Sequence, residues 1–496
     1  MTDVPLPFSP LPQSSALPDA PPRSMRQHAG RIVAAVVVVA VAAAVIAVQV
    51  RSHKSYPDHW DARVADIAQF DEVHRGLKYK HPVPVDFLTP DEYSKRTRTD
   101  AGQLSANDKK SIETYAGELR ALGLIAGNPD LFGAQNDLND NGTLAFYDPD
   151  TERVTVRGTD MTPGLRVTLA HELTHVLQDQ WFDVGSSRTK KFKTSQEQEA
   201  FRTIVEGDAV RIENAYRDTL SEPEKQQADD ALTLKPDDKS LSTVPVALQA
   251  FDYAPYAIGP SAVELLAAHG GNAAVDDALR NPPTTDRELL DPRALVAHTG
   301  ARKVDQPALP DGVAKSSDSG DLGSITWYLA LAERIDPATA LDAVDGWAGD
   351  SYVTYDQNGV TCMALEFAGT DSAAVSTMQS ALDEWAQAMP GGKADVRADG
   401  DRLLVHSCDP GNAAATNDRV LDAIQLPSLR IDGAFEAVDQ GGLGIDKAFG
   451  YGECLARTIT FAQLQEASKA TTTEIPADVA AAIQTAYTSC ISQAGG

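Results

Sequence analysis

Two histidines four residues apart, with a glutamate beside the first, carry the strongest chemical signal in this sequence. His171, Glu172 and His175 lie within TLAHELTHVLQDQWFD, residues 168–183. On a helix, residues four apart share a face, so both imidazoles can point at one ion. Glu172 stands one step round, within reach of a water carried by that ion. Two neutral nitrogen ligands, a position left for water and an adjacent carboxylate base are what zinc-assisted hydrolysis requires. The same pentapeptide also arises by chance on ordinary core helices, so the surrounding residues must decide.

Such chemistry needs a buried helix and a third ligand brought from elsewhere. Thr162-Pro163 has the form of an N-cap followed by proline at the first helical position. Leu165, Leu169, Leu173, Val176, Leu177 and Phe182 make an apolar stripe, which predicts burial. Gln178 and Trp181 stand where a continuing H-x-x-G-x-x-H pattern would place Gly and His, so the third ligand is not on this helix. Glu206 is the preferred candidate, in a second helical run over 196–218, because His, His and Glu form an established catalytic zinc set. Asp208, Glu197 and Glu199 are the competing carboxylates. Gly207 costs about 1 kcal/mol of helix stability relative to Ala; a small residue there would let this helix approach the first closely. Asp179, four residues after His175, and Asp208 are candidates to orient the ligands from behind.

HELTH followed by Glu206-Gly207-Asp208-Ala209 resembles the gluzincin group of zinc metallopeptidases. More narrowly, HELTHVLQDQ is similar to the membrane-anchored neutral zinc metallopeptidases of bacteria. The resemblance extends to Arg75-Gly76-Leu77, to a hairpin over 142–158 and to Asn281-Pro282-Pro283-Thr284-Thr285, covering residues 70–300. It implies a zincin-like catalytic domain: a small mixed sheet, an active-site helix and a helical subdomain. It further implies that the strand over 154–157 offers an edge to an extended peptide. A Tyr or His behind the metal would stabilise the oxyanion, with Tyr253, Tyr256 and His269 as candidates. Aromatics at that spacing also suit an ordinary core, and none of the three is singled out.

The chain has 496 residues, enough for two or three domains. Its 71 acidic against 43 basic residues give a formal charge of −28, which argues against nucleic acid or anionic lipid as the main partner. Residues 1–31 form a tail expected to be disordered and cytoplasmic, rich in Pro and Ser at its start. Residues 32–50 are a Val/Ala/Ile run with Gln49 as its polar member. Nineteen helical residues span about 28 Å, so an uncleaved transmembrane anchor is expected. Arg23, Arg26 and Arg31 before it and Arg51, Lys54 and Arg63 after it barely decide orientation. The cysteines do more. Cys362, Cys408, Cys454 and Cys490 are even in number and lack C-x-x-C spacing, which predicts two disulfides and an oxidising compartment. The body is therefore expected outside the cytoplasm.

Along the chain, residues 56–300 are assigned to the metallopeptidase domain, 301–320 to a Pro-, Asp- and Ser-rich linker, and 321–496 to a C-terminal α+β domain. Helices are expected over 57–75, 106–124 and 245–270, an edge strand over 83–88 and a hairpin of strands 144–147 and 153–157. Asp137-Leu138-Asn139-Asp140-Asn141-Gly142 matches the opening of a calcium loop, with Asp148 at its twelfth place, and an Asn-Gly turn explains the same residues. A basic loop over 183–195 joins the two metal-bearing helices, and 221–239 is expected to be a surface loop. Beyond the linker, helices are expected over 322–335, 338–347 and 372–389, with strands over 353–355, 360–367 and 402–406. Cys362 and Cys408 fall on or beside two of those strands and are paired, leaving Cys454 with Cys490.

The sequence thus predicts an α+β, single-pass membrane-anchored zinc metallopeptidase acting on peptides or proteins. Zn2+ would sit on His171, His175 and Glu206, with Glu172 as general base. The alternatives are a cell-surface binding or envelope-assembly protein with a non-catalytic zinc site, and a zinc hydrolase of a non-peptide amide.

Overall fold

The computed structural model describes residues 56–141, 144–232, 241–310, 312–313, 316–469 and 475–494. The tail expected over 1–31 and the anchor expected over 32–50 lie outside the described residues. Among the described residues, no helix is long and apolar enough to cross a membrane. The described residues are mixed α and β, mostly helical, with one three-stranded and one five-stranded sheet.

The small sheet frames the candidate site. Strand β1 (Val85–Leu88) lies parallel to β3 (Arg153–Arg157), which pairs antiparallel with β2 (Ala145–Asp148) in the order β1-β3-β2. Asp148 Oδ1 accepts the Asp150 amide at 3.0 Å, closing the turn that the Asp-Pro-Asp-Thr sequence predicts. The expectation for 154–157 is corrected here. β3 is the central strand, with β1 on one side and β2 on the other, so its backbone cannot receive a peptide. Val154, Thr155 and Val156 are all buried, as a strand covered on both faces requires. Beyond the β3 pairing, β2 is an edge of this sheet and can offer hydrogen bonds to an added strand.

Helix α1 (Ala65–Arg75) covers part of the expected 57–75 run, and α2 (Ala106–Ala121) most of 106–124. The calcium-loop reading of 137–142 does not survive: Asp137 to Asn141 belong to α3 (Leu131–Asn141), while the Asn-Gly turn falls partly outside the described residues, at Gly142. Asp137 pairs with Arg98 at 2.9 Å and Asp140 with Arg157 at 2.7 Å, which commits both carboxylates to arginines rather than to calcium.

Helix α4 (Pro163–Phe182) starts as its sequence dictates. Thr162 Oγ1 accepts the Leu165 amide and Pro163 occupies the first helical position. Every residue from Val167 to Gln178 is buried, so the polar side chains among them must find partners or an ion. Helix α5 (Ser195–Asp218) packs against α4 and against α7 (Val246–Arg280). Gly207 does permit a close approach, but the helix approached is α7. A Cβ built on Gly207 would sit 2.3 Å from the Gly259 carbonyl oxygen, and one on Gly259 2.4 Å from that of Thr203. The stretch expected as a surface loop over 221–239 begins as helix α6 (Glu222–Leu232), and 233–240 lie outside the described residues. Its low apolar content conceals a small contact face: Ala228 is buried, and Ala231 lies close over Gly164 at the start of α4.

The C-terminal region holds helices α8 (Gly323–Ala332), α9 (Pro337–Asp345) and α10 (Ser372–Ala388) around an antiparallel sheet. That sheet runs β4-β5-β6-β8-β7, from β4 (Ser316–Gly320) through β5 (Trp347–Gln357) and β6 (Val360–Gly369) to β7 (Ala394–Asp399) and β8 (Arg402–Cys408). The last residues of the expected linker are therefore an edge strand. Cys362 and Cys408 are register partners on β6 and β8 and form one disulfide. The other joins Cys454 on α11 (Ile445–Thr458) to Cys490 on α12 (Ala477–Ala494). The largest core crosses the 301–320 segment, running from Tyr115 and Ile204 to Trp347 and Cys490. Arg120 of α2 reaches Asp409 beyond β8 at 2.8 Å, tying the two regions further.

Candidate metal centre

Helix α4 places His171 and His175 one turn apart, with their Nε2 atoms 3.0 Å from each other and their rings nearly perpendicular. Helix α5 brings in Glu206, whose Oε2 lies 3.3 Å from His171 Nε2 and 3.4 Å from His175 Nε2. All three side chains are buried. Ligands about 2.0–2.2 Å from one tetrahedral ion stand roughly 3.3–3.5 Å apart, so this triangle has the size that a single small cation spans. Glu206 Oε2 is buried and accepts no hydrogen bond among the described residues. A buried carboxylate oxygen without a donor is costly, and a cation at the centre of the triangle removes that cost. Among the described residues, these three form the one group of ligand side chains near enough to share an ion.

The electrostatics favour a cation as well. Burial opposes charge on His171, but the Glu206 and Glu213 carboxylates outweigh it and raise the imidazole to about 10. Burial likewise disfavours charged Glu206, yet His175 and His171 hold its carboxyl well below the ordinary range. Two carboxylates thus converge on two imidazoles.

Each imidazole is held from behind. Glu213 Oε2 lies 2.9 Å from His171 Nδ1, and Gln178 Oε1 lies 2.8 Å from His175 Nδ1. Both oxygens accept, so each Nδ1 can hold a proton. An ion that displaces the second proton the carboxylates favour on His171 would find both Nε2 lone pairs facing the centre. The Gln178 amide is itself oriented, because its Nε2 donates to Val205 O at 2.8 Å and to Asp208 Oδ2 at 3.1 Å. Asp208 in turn accepts from Arg75 Nε at 2.7 Å and Arg211 at 3.0 Å. Gln178→Ala is expected to weaken metal binding by about 10- to 100-fold, measured by competition with a chromogenic chelator. Unchanged affinity would mean that the hydrogen bond to His175 does not set the ligand's orientation.

Sequence reasoning named His171, His175 and Glu206, and the structure brings them together. Asp208 acts one residue further back than expected, through Gln178. Asp179 accepts from Tyr147 Oη at 2.7 Å, and the group seen on His175 Nδ1 is Gln178. Of the competing ligands, Glu199 pairs with Arg202 at 3.8 Å and Glu197 sits in the first turn of α5. Glu172 is buried, and its Oε2 accepts the Tyr147 amide of β2 at 2.8 Å. Tyr256 is the one of the three oxyanion candidates beside the metal centre, its ring stacked on His171 with centroids 6.3 Å apart. Tyr253 packs toward the large core and His269 is exposed next to the break at Gly270 and Gly271. Glu213 and Gln178 were not foreseen. The signal for Glu213 was present, since seven residues after Glu206 is two turns along the same helical face.

Compared with family profiles, with curated proteins and with solved structures, the chain gives no match in any of the three.

Proposed function

We propose that this protein is a zinc metallopeptidase held at the membrane by residues 32–50, with its body outside the cytoplasm. The observation that carries the reading is the buried convergence of His171 Nε2, His175 Nε2 and Glu206 Oε2 beside Glu172. Three ligands of the His, His, Glu type suit catalytic zinc, whereas structural zinc is usually closed by four, often with cysteines. Here all four cysteines are taken up in disulfides. Those disulfides favour an oxidising compartment.

His171, His175 and Glu206 would hold the zinc, which when bound supplies Lewis acidity toward the scissile carbonyl and toward water. Glu172 takes the proton of the attacking water and returns it to the leaving amine. The Tyr147 amide fixes the Glu172 carboxylate for that transfer. Tyr256, whose ring lies over His171, would donate its hydroxyl to the developing oxyanion. The edge of β2 aligns an extended peptide across this centre.

The test uses the full-length protein on a denatured protein substrate and on a cell-wall amide, with and without a zinc chelator. Proteolysis abolished by chelation and restored by zinc supports the proposal. Proteolysis indifferent to chelation sinks it, and chelator-sensitive turnover of the cell-wall amide alone replaces it with a non-peptide hydrolase.

A further inference from the structure

The metal centre is braced from beyond its own two helices. Arg75 is the last residue of α1, a helix that contributes no ligand, and only 1% of its surface is exposed. A guanidinium cannot shed its charge, so burying one is unfavourable unless carboxylates meet it. Its Nε donates to Asp208 Oδ2 at 2.7 Å and its Nη2 to Asp276 Oδ1 at 2.7 Å. The backbone is committed as well. Gly76 takes the left-handed φ of 73° that ends α1, and Asn272 Nδ2 donates to the Arg75 carbonyl at 2.9 Å. Asn272 Oδ1 in turn accepts from Arg211 at 2.8 Å, and Arg211 also donates to Asp208 Oδ1 at 3.0 Å. Arg75, Asp208, Arg211 and Asn272 thus close a ring across α1, α5 and α7.

Gln178 hangs from one atom of that ring. Asp208 Oδ2, the oxygen that Arg75 grips, is also the oxygen that accepts Gln178 Nε2, at 3.1 Å. The other Gln178 amide hydrogen goes to the Val205 carbonyl, at 2.8 Å. A single acceptor would let the amide plane pivot about its hydrogen bond, whereas two acceptors fix the plane. That plane decides where Gln178 Oε1 points, and Oε1 is the atom 2.8 Å from His175 Nδ1. A buried ion pair can also serve the fold alone. Yet an arginine present only to neutralise Asp208 would be redundant, since Arg211 already donates to Oδ1. What Arg75 adds is a hold on Oδ2. Without it, the carboxylate can swing toward Arg211 and leave the second Gln178 hydrogen buried and without an acceptor.

We propose that Arg75 is a positioning residue for the metal: by holding Asp208 Oδ2 it fixes the Gln178 amide and, through it, the direction of His175 Nε2. This rests on the metal centre of the proposed function and not on peptide hydrolysis.

The test is a double-mutant cycle on full-length protein: wild type, Arg75→Met, Gln178→Ala and the two combined. Zinc affinity is read by competition with a chelator. Arg75→Met should weaken zinc by about tenfold, the lower end of what contacts behind a ligand contribute. In the Gln178→Ala background the same change should cost less than about twofold, because the contact through which Arg75 acts is already gone. The visible spectrum of the cobalt-loaded protein, which reports ligand geometry, should shift in Arg75→Met. It should be the same in Gln178→Ala with and without that change. Melting temperature, which a purely structural role would move, should fall equally in both backgrounds.

If Arg75→Met does not fold, Arg75→Lys enters the same cycle, keeping the charge but losing the fork that bridges Asp208 and Asp276. Full zinc affinity in a folded Arg75 variant overturns the proposal and leaves the metal centre standing. So does a zinc cost that is undiminished without Gln178. Wild type that binds no zinc overturns the metal centre and the role of Arg75 with it.

Discussion

Glu172→Gln is expected to retain zinc in full and to lose hydrolysis by about 10²- to 10⁴-fold, the usual worth of a positioned general base. Gln is isosteric, and its side-chain oxygen can still accept the Tyr147 amide that Glu172 accepts at 2.8 Å. The buried environment of α4 should therefore be preserved, and zinc content should match wild type because the three ligand atoms belong to other residues. What disappears is a basic oxygen. An amide cannot take a proton from water at neutral pH or hand one to the leaving amine. Metal analysis and kcat on the same preparations check this directly. Full zinc with wild-type turnover would remove Glu172 from the mechanism. Loss of zinc would instead show that the residue supports the site's architecture.

Gly207→Ala is expected to destabilise the protein by about 1–3 kcal/mol, even though Ala is the better helix former by about 1 kcal/mol. Two effects oppose one another, and the geometry decides between them. The new Cβ would lie 2.3 Å from the Gly259 carbonyl oxygen and 2.4 Å from its carbonyl carbon. Those are backbone atoms of α7, so no flexible side chain can swing aside and the two helices must part. Glu206 is the adjacent residue on α5, so the strain falls on a member of the candidate metal triad. Denaturant midpoints should drop and zinc affinity should weaken together. An increase in stability of about 1 kcal/mol would mean that helix propensity wins and that the α5–α7 contact is looser than described.

Much of the site was readable because it depends on local periodicity. His171 and His175 are one helical turn apart whatever surrounds them, and Thr162-Pro163 caps that helix from its own residues. The hairpin of β2 and β3 likewise follows from alternation and turn chemistry on neighbouring stretches, whereas the register that joins Cys362 to Cys408, 46 residues apart on β6 and β8, depends on the sheet order. Other readings failed where a distant partner decided the outcome. Residues Asp137 to Asn141 carry calcium-loop spacing, yet Arg98 and Arg157 take their carboxylates and the segment is helical. The charged stretch after Ser221 forms a helix because Ala228 and Ala231 find α4 to pack against.

By itself, the sequence determined which residues could bind a metal and on what kind of element. Those properties repeat with the 3.6-residue turn of a helix or the two-residue alternation of a strand, so they are written in short windows. Only the tertiary structure decided that β3 is central and β2 an edge, since that depends on where β1 joins. It alone set Gly207 against Gly259 and Glu213 behind His171. It also gathered Asp150, Glu152, Asp179 and Asp183 around one cavity. Each of those contacts is made across separate elements, and no periodicity in a single element can specify it.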